Sequence, residues 1–322
     1  MGQNEKQLTK AIMKINLINN LITSYEKINE LEERDKMKPY TVILDYKDEG
    51  SFTKFIVNFQ KGKYNVQDIF DMHFSLNDQN KGLELFQKLR EKFVKRDSIQ
   101  YSGFSTEYGK TTDHFIRKNN SVELKTSIHT SKDLETLKNY NNIINNSKVF
   151  GYKGFNTGNK TKDELQLIKA KAKANIVCDI INTLSDLNNL EENYNNMKSY
   201  NLEINYDLFN DTNDEKYYKY NIQLIKNGLY KNKKLLNLNF SLKNHNIGLR
   251  IIQEILRNFS QNNDILLSSF DSNGNSVIQN KSRVKIITNI KTDYDKEKIS
   301  SIHEEIKSKQ TTSFKVKKIE KK

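Results

Sequence analysis

The sequence predicts an α+β fold with two tandem homologous domains, each built of a helix, a three-stranded antiparallel meander, a second helix, and two or three further strands. A segment starting at His73, HFSLNDQNKGLELFQKLREKF, recurs without a gap from Asn239 as NFSLKNHNIGLRIIQEILRNF. On both sides of this repeat, stretches with helical spacing of apolar residues give way to stretches with strict alternation. A chain of 322 residues is also long enough for two domains with separate cores.

A long helix is predicted at the start of each copy. The stretch QLTKAIMKINLINNLITSYEKINELEE begins at Gln7, and its counterpart QLIKAKAKANIVCDIINTLSDLNNLEE begins at Gln166. In both, apolar residues recur every three or four positions and form one stripe along a helix. Pro39 is expected to end the first of these helices.

Three strands are predicted next in each copy. The alternating stretches YTVILDY, from Tyr40, and YNLEINY, from Tyr200, are followed by segments whose Lys61-Gly62 and Asn227-Gly228 dipeptides indicate tight hairpin turns. The return strands, VQDIFDMHF and KKLLNLNF, supply apolar core positions. The meander is therefore expected twice.

The second helix of each copy is predicted to begin at Gly82 or Gly248, where a glycine lets the helix start pack closely on the sheet. The further strands are expected around SIQYSGF and SVELKTSI in the first copy, and around DILLSSF and SRVKIITNI in the second.

Domain boundaries follow from composition. The first repeat is assigned to residues 1–150 and the second to residues 164–307, joined by a glycine-containing linker over 151–163 that has no periodicity. Residues 308–322 form a basic tail with too little apolar surface to become ordered alone.

The charge balance favours a polyanionic partner. Lys and Arg number 53 against 40 Asp and Glu, which leaves a formal charge of +13. Abundant Asn, Lys, Ile and Tyr, a single Pro and no Trp are also typical of an A+T-rich coding sequence, which would explain part of this excess. One cysteine excludes an internal disulfide framework, and the sequence contains no long apolar stretch. We therefore expect a cytoplasmic protein without a membrane partner.

Basic and aromatic residues interleave on the predicted hairpins. Lysines can follow phosphates while aromatic faces stack on unpaired bases, so the leading hypothesis is a non-enzymatic nucleic-acid-binding protein of a virus, phage or plasmid, with single-stranded or duplex DNA as partner. Alternatively, the aromatics belong to half-buried strands and the lysines protect sheet edges. The candidate residues are Lys54, Lys61, Lys63, Tyr64, Lys219, Lys226, Tyr230, Lys231, Lys233 and Lys234.

One short stretch has a catalytic pattern. Asp113, Glu123 and Lys125 resemble the site of PD-(D/E)XK nucleases, a likeness that covers roughly 15 residues and implies Mg²⁺ held by the two carboxylates. The second copy has Lys285 and Ile287 where the first has Glu123 and Lys125. Alternatively, Glu123 and Lys125 alternate with apolar residues because they lie on the solvated face of an edge strand.

The usual signatures of nucleotide hydrolysis and acyl transfer are missing, so no catalytic residue, metal or cofactor is predicted. A further alternative is a virion or scaffold protein that self-associates through two quasi-equivalent faces. The alternation of helices with strand triplets also resembles sliding clamps, from which the chain departs in its long first helices and its basic charge.

Overall fold

The computed structural model divides the chain into two compact units, Met1–Lys160 and Thr161–Lys322. Among the described helices, none is long and apolar enough to cross a membrane. The residues that the structure describes are 2–33, 36–62, 65–95, 99–146, 160–210 and 216–319.

The described residues of the first unit form three helices and six strands, and the strands lie in the sheet order β3-β2-β1-β6-β5-β4. β1, β2 and β3 form the predicted antiparallel meander, and β1 and β6 are the parallel pair. The elements are α1 (Gln3–Glu30), β1 (Tyr40–Asp48), β2 (Thr53–Lys61), β3 (Gln67–Leu76), α2 (Gln79–Val94), β4 (Ile99–Glu107), β5 (Lys110–Lys118), β6 (Val122–Ser127) and α3 (Ser131–Asn146).

The second unit has helices and strands in the same sequence order, and its sheet has the order β9-β8-β7-β12-β11-β10. β7 and β12 are again parallel, and β7, β8 and β9 are antiparallel. The elements are α4 (Lys162–Asn189), β7 (Ser199–Asn210), β8 (Lys216–Asn227), β9 (Lys233–Leu242), α5 (His245–Asn262), β10 (Ile265–Phe270), β11 (Ser276–Asn280), β12 (Val284–Thr288) and α6 (Asp293–Ile319).

The mixed α+β class is confirmed, and several predicted boundaries are corrected. The last described element of each unit is a helix that the sequence interpretation missed, α3 or α6. α1 ends at Glu30, well before Pro39, which directly precedes β1 instead. α4 begins inside the predicted linker because Thr161 and Glu164 form a capping box. α6 continues through Ser308 to Ile319, and residues 151–159 of the linker lie outside the described part of the chain.

Close packing of a helix on the sheet explains the glycine in each second helix. α2 begins at Gln79 and α5 at His245, so Gly82 and Gly248 are the fourth residues of their helices rather than the first. A Cβ atom on Gly82 would lie 2.0 Å from the Phe55 ring, and one on Gly248 would lie 1.9 Å from the Tyr220 hydroxyl. Only glycine lets these helices approach the aromatic residues of β2 and β8, so the predicted role is confirmed.

A buried asparagine near the end of the first helix organises the same corner of both units. The Asn29 side-chain amide donates to the carbonyl oxygens of Lys38 at 2.6 Å and Asn120 at 2.7 Å. The Asn188 amide donates to those of Lys198 at 2.7 Å and Ser282 at 2.6 Å. Each side chain therefore fixes the lysine that stands just before the first strand against the turn between two later strands.

Candidate nucleic-acid interface

The turn between β8 and β9 concentrates basic residues. Lys226 pairs with Lys233 across the two strands and Ile225 pairs with Lys234, beyond which a β-bulge precedes the pair of Leu224 and Leu236. A Cβ atom on Gly228 would lie 2.5 Å from the carbonyl oxygen of Lys231, so the tight turn requires a glycine there. The exposed side chains of Lys231, Lys233 and Lys234 thus lie together at one end of the hairpin.

Electrostatics distinguish Lys226 from an ordinary surface lysine. Its side chain is half-buried, and burial lowers its pKa, with the neighbouring charges of Lys198 and Lys233 lowering it further. Lys198 belongs to the segment before β7 that Asn188 holds. Cations from three segments of the chain therefore converge here, and an anion bound among them would relieve their mutual repulsion.

In the described residues of the first hairpin, Lys61 and Lys38 form a similar arrangement. Burial lowers the pKa of Lys61, and the charge of Lys38 lowers it further. Lys38 is the residue that Asn29 fixes before β1. Gly62 has a φ of +106°, which favours glycine at the turn. Lys63 and Tyr64, both predicted site residues, lie outside the described residues.

Two predicted residues lie far from these turns. Lys54 stands opposite Lys47 and Ser75 near the start of β2, and Lys219 stands opposite Asp207 and Ser241 in β8. Seven residues separate each from the lysine at its turn, which corresponds to about 23 Å along a strand. The predicted set is therefore not one surface.

Most aromatic residues of the strands belong to the core. Phe55, Phe59, Tyr217 and Tyr220 are buried, as the alternative interpretation of these strands expected. Tyr230, at the second hairpin, is different because its side chain is fully exposed, as is that of Leu229 beside it. Among the described candidates for stacking on a base, Tyr230 is thus the accessible one.

The nuclease-like triplet is not arranged for shared metal binding. Lys125 Nζ lies 3.0 Å from Asp113 Oδ2, but Glu123 is opposite Arg117, whereas Asp113 is opposite Ser127. That offset of four residues separates the two carboxylates by about 13 Å along the strands. Burial raises the pKa of Glu123, while Arg117 and Lys125 act in the opposite direction.

The edge-strand interpretation of this stretch is also wrong, because β6 lies between β1 and β5. The predicted alternation is nevertheless present, with Val122, Leu124 and Thr126 buried and the residues between them partly exposed. Within the described part of the chain, no group of three or more His, Cys, Asp or Glu side chains could hold a metal ion.

Lys38 and Lys198 are the members of these clusters that sequence reasoning missed. A signal was present, since both copies have Met-Lys just before the first strand, as KMKPY and NMKSY. Its meaning depends on the fold, which brings the start of the first strand beside the end of the second. No protein-family model, curated protein or solved structure matches this chain.

Proposed function

We propose that the protein is a non-enzymatic nucleic-acid-binding protein whose main contact is the basic hairpin end of the second unit. The observation that carries this proposal is the convergence of Lys198, Lys226 and Lys233 at the end of the hairpin, where burial and then the other two charges lower the pKa of Lys226. Holding like charges together costs free energy that a phosphate group would recover. Protection of a sheet edge needs no such convergence of cations from three segments.

Tyr230 gives the proposal a chemical preference. Its exposed ring stands in the same turn as Lys231, so phosphate contact and base stacking could occur together. Stacking of a base on an aromatic side chain contributes roughly 1–3 kcal/mol and requires an unpaired base. Single-stranded DNA or RNA is therefore the favoured polymer, with Tyr230 as the stacking residue.

We infer further that the two units arose by tandem duplication and that the first hairpin supplies a weaker contact of the same kind. The gapless repeat and the shared element order support common ancestry. The pair Lys38 and Lys61 matches Lys198 and Lys226 in position and in the direction of its pKa change. A second contact on one chain raises the affinity for a polymer without needing to be strong alone.

The test compares two variants that lose the same charge. Lys226, Lys231, Lys233 and Lys234 are replaced by Gln in one, and the exposed lysines 81, 88, 92 and 138 of the first unit are replaced by Gln in the other. Fluorescence anisotropy with a labelled single-stranded oligonucleotide should show a loss of affinity of tenfold or more, on the order of 1.4 kcal/mol, for the hairpin variant alone. Equal losses in the two variants would attribute binding to net charge and contradict the assignment.

A protein-assembly function is the second candidate. Leu229 and Tyr230 are 97% and 101% exposed, and an exposed apolar side chain at a hairpin tip suits contact with another protein. Light scattering of the protein without nucleic acid should then show oligomers that grow with concentration and are reduced by Leu229→Ser. A monomer at every concentration would remove this candidate and leave the first unaffected.

A further inference from the structure

A cavity of about 460 Å³ opens in the first unit between α2, α3 and the sheet. This volume is within the range of sites that bind small molecules. Its apolar wall comes from Leu83, Phe86 and Leu137, and its polar lining includes Arg90 and Thr126. The cavity belongs to the first unit and the hairpin end assigned to nucleic acid belongs to the second, so a ligand here is independent of the proposed nucleic-acid contact.

Arg90 is the unusual residue in this lining. Its side chain is only 6% exposed, and its Nε atom is buried without a hydrogen-bond partner among the described residues. Burial lowers the pKa of Arg90 to about 10, so the guanidinium still carries its charge at neutral pH. The Tyr140 ring, 5.8 Å from the guanidinium carbon, and the charges of Glu91 and Asp133 oppose this lowering of the pKa, but they offset the effect of burial only in part.

The second unit shows how the same place is filled when no charge is present. The gapless repeat places Leu256 where the first unit has Arg90, and Leu256 is fully buried in the core. In the second unit, side-chain hydrogen bonds connect α5 to α6. Gln253 Nε2 donates to the Lys298 carbonyl oxygen at 2.7 Å, and the Arg257 guanidinium donates through Nε and Nη2 to the Glu305 carboxylate. Gln87, the counterpart of Gln253, instead donates to Glu91 of its own helix at 3.0 Å.

Of the polar lining residues Arg90 and Thr126, the arginine rather than the threonine indicates a ligand. Among the described residues, neither the Thr126 hydroxyl nor that of Thr288 in the second unit has a hydrogen-bond partner, although both are buried. The threonine alone therefore does not indicate a ligand. The open space and the buried guanidinium, in contrast, occur together in the first unit. An anionic ligand would satisfy both, since it would fill the space and pair with the charge.

We propose that this cavity binds a small organic monocarboxylate with an apolar body, its carboxylate on Arg90 and its body against Leu83, Phe86 and Leu137. A carboxylate matches the planar donor fork of a guanidinium. The charged lining residues Arg90, Lys132, Glu84 and Asp133 sum to zero, which favours a monoanion over a phosphate dianion. Asp133 is itself engaged, because it accepts from the Tyr46 hydroxyl at 2.7 Å and from the Thr130 amide at 2.9 Å.

Isothermal titration of the full chain with sodium benzoate tests this site, with benzamide as a neutral probe of the same shape and phenyl phosphate as a dianion. Benzoate should bind saturably, and both other probes should bind at least about tenfold more weakly. Arg90→Leu, which introduces the residue of the second unit, should weaken benzoate binding at least about tenfold. Arg250→Leu removes an exposed arginine elsewhere and should change nothing.

Four results would each overturn the proposal: no benzoate binding in the millimolar range, equal binding of benzamide, tighter binding of phenyl phosphate, or unchanged binding by Arg90→Leu. If Arg90→Leu does not fold, Leu137→Phe replaces it, because this change fills the cavity without altering charge. Benzoate bound as tightly by Leu137→Phe as by the unchanged protein would then contradict the site. The hairpin lysine variant should bind benzoate normally, which separates this test from the proposed nucleic-acid function.

Discussion

The two units have the same order of helices and strands but bury different polar groups. In the first, Lys118 Nζ lies 3.0 Å from Glu26 Oε1, and both side chains are buried. In the second, Ser185 and Asn280 occupy these positions, and the Asn280 amide donates to the Ser185 hydroxyl at 2.8 Å. An ion pair in one unit thus corresponds to a neutral hydrogen bond in the other.

Histidines show the same kind of exchange. His114 on β5 stands opposite Phe104, and its Nε2 lies 3.1 Å from Ser102 Oγ and 3.3 Å from Asn141 Oδ1. In the second unit Ser276 stands opposite Phe270, and the histidine is His303 on α6.

His303 Nδ1 lies 2.6 Å from Ser268 Oγ, and its Nε2 lies 3.0 Å from Ser276 Oγ. The imidazole therefore lies on a strand in the first unit and on a helix in the second. Both ring nitrogens of His303 have partners, whereas His114 Nδ1 is buried without one among the described residues. A buried polar group needs a hydrogen-bond partner, but residues of several types can supply it. A buried group and its partners can therefore be replaced only together.

Of the variants that test this comparison, the one that breaks the buried ion pair should lose the most stability. Glu26→Ala leaves the Lys118 charge buried, 4.6 Å above the Phe93 ring, and should lower the free energy of unfolding by about 3–5 kcal/mol. Chemical denaturation measures the loss. Glu26→Ser with Lys118→Asn installs the pair of the second unit and should recover most of it. A double variant less stable than Glu26→Ala would show that the two sets are not equivalent.

Acid should test the histidine exchange. Burial lowers the pKa of both His114 and His303 to about 4 from the usual 6.5. The unfolded chain therefore binds more protons between these values, and each histidine should remove ~3 kcal/mol of stability as pH falls from 6.5 to 4. His114→Ser should make this decline in stability about half as steep. Adding Asn141→His places the imidazole on α3, as His303 lies on α6, and should restore the steeper decline.

The matched control for the acid experiment is His73→Asn, which places the residue of the second unit at an exposed position. Its stability should follow the same pH dependence as the unchanged protein. A decline that His114→Ser leaves equally steep would mean that His114 does not resist protonation in the folded chain.

The shared frame should respond equally in both units. Gly82→Ala and Gly248→Ala each place a Cβ atom within 2.0 Å of an aromatic side chain, and each should cost about 1–3 kcal/mol of stability. Lys88→Ala, on the exposed face of α2, should change stability by less than about 0.5 kcal/mol. Thermal unfolding measures the stability of all three variants. If Gly248→Ala left stability unchanged, the two helix contacts would not be equivalent.

Local patterns predicted the repeated frame well because its features are short-range. The turn glycines, the alternating strands and the close approach at Gly82 all depend on neighbours within one or two elements. α3 was missed because it is mostly polar, with Leu137 and Ile144 as its buried residues. Its position depends on contacts that the sequence does not show.

The candidate site was predicted only in part. The lysines of the second hairpin were recognised from their density, but Lys198 joins them through the fold, and Lys54 and Lys219 belong elsewhere. The pairs Glu26–Lys118 and Ser185–Asn280 each connect residues more than 90 positions apart. No periodicity relates such residues, which is why the buried polar sets emerged from the structure alone.

The most direct measurement of the central claim is the salt dependence of single-stranded DNA binding by the unchanged protein and by the variant lacking Lys226, Lys231, Lys233 and Lys234. Each lost phosphate contact should reduce the slope of log affinity against log salt by about 0.7, so the variant should be less steep by up to about 3. Parallel lines for the two proteins, or no binding at low salt, would contradict a nucleic-acid interface at this hairpin.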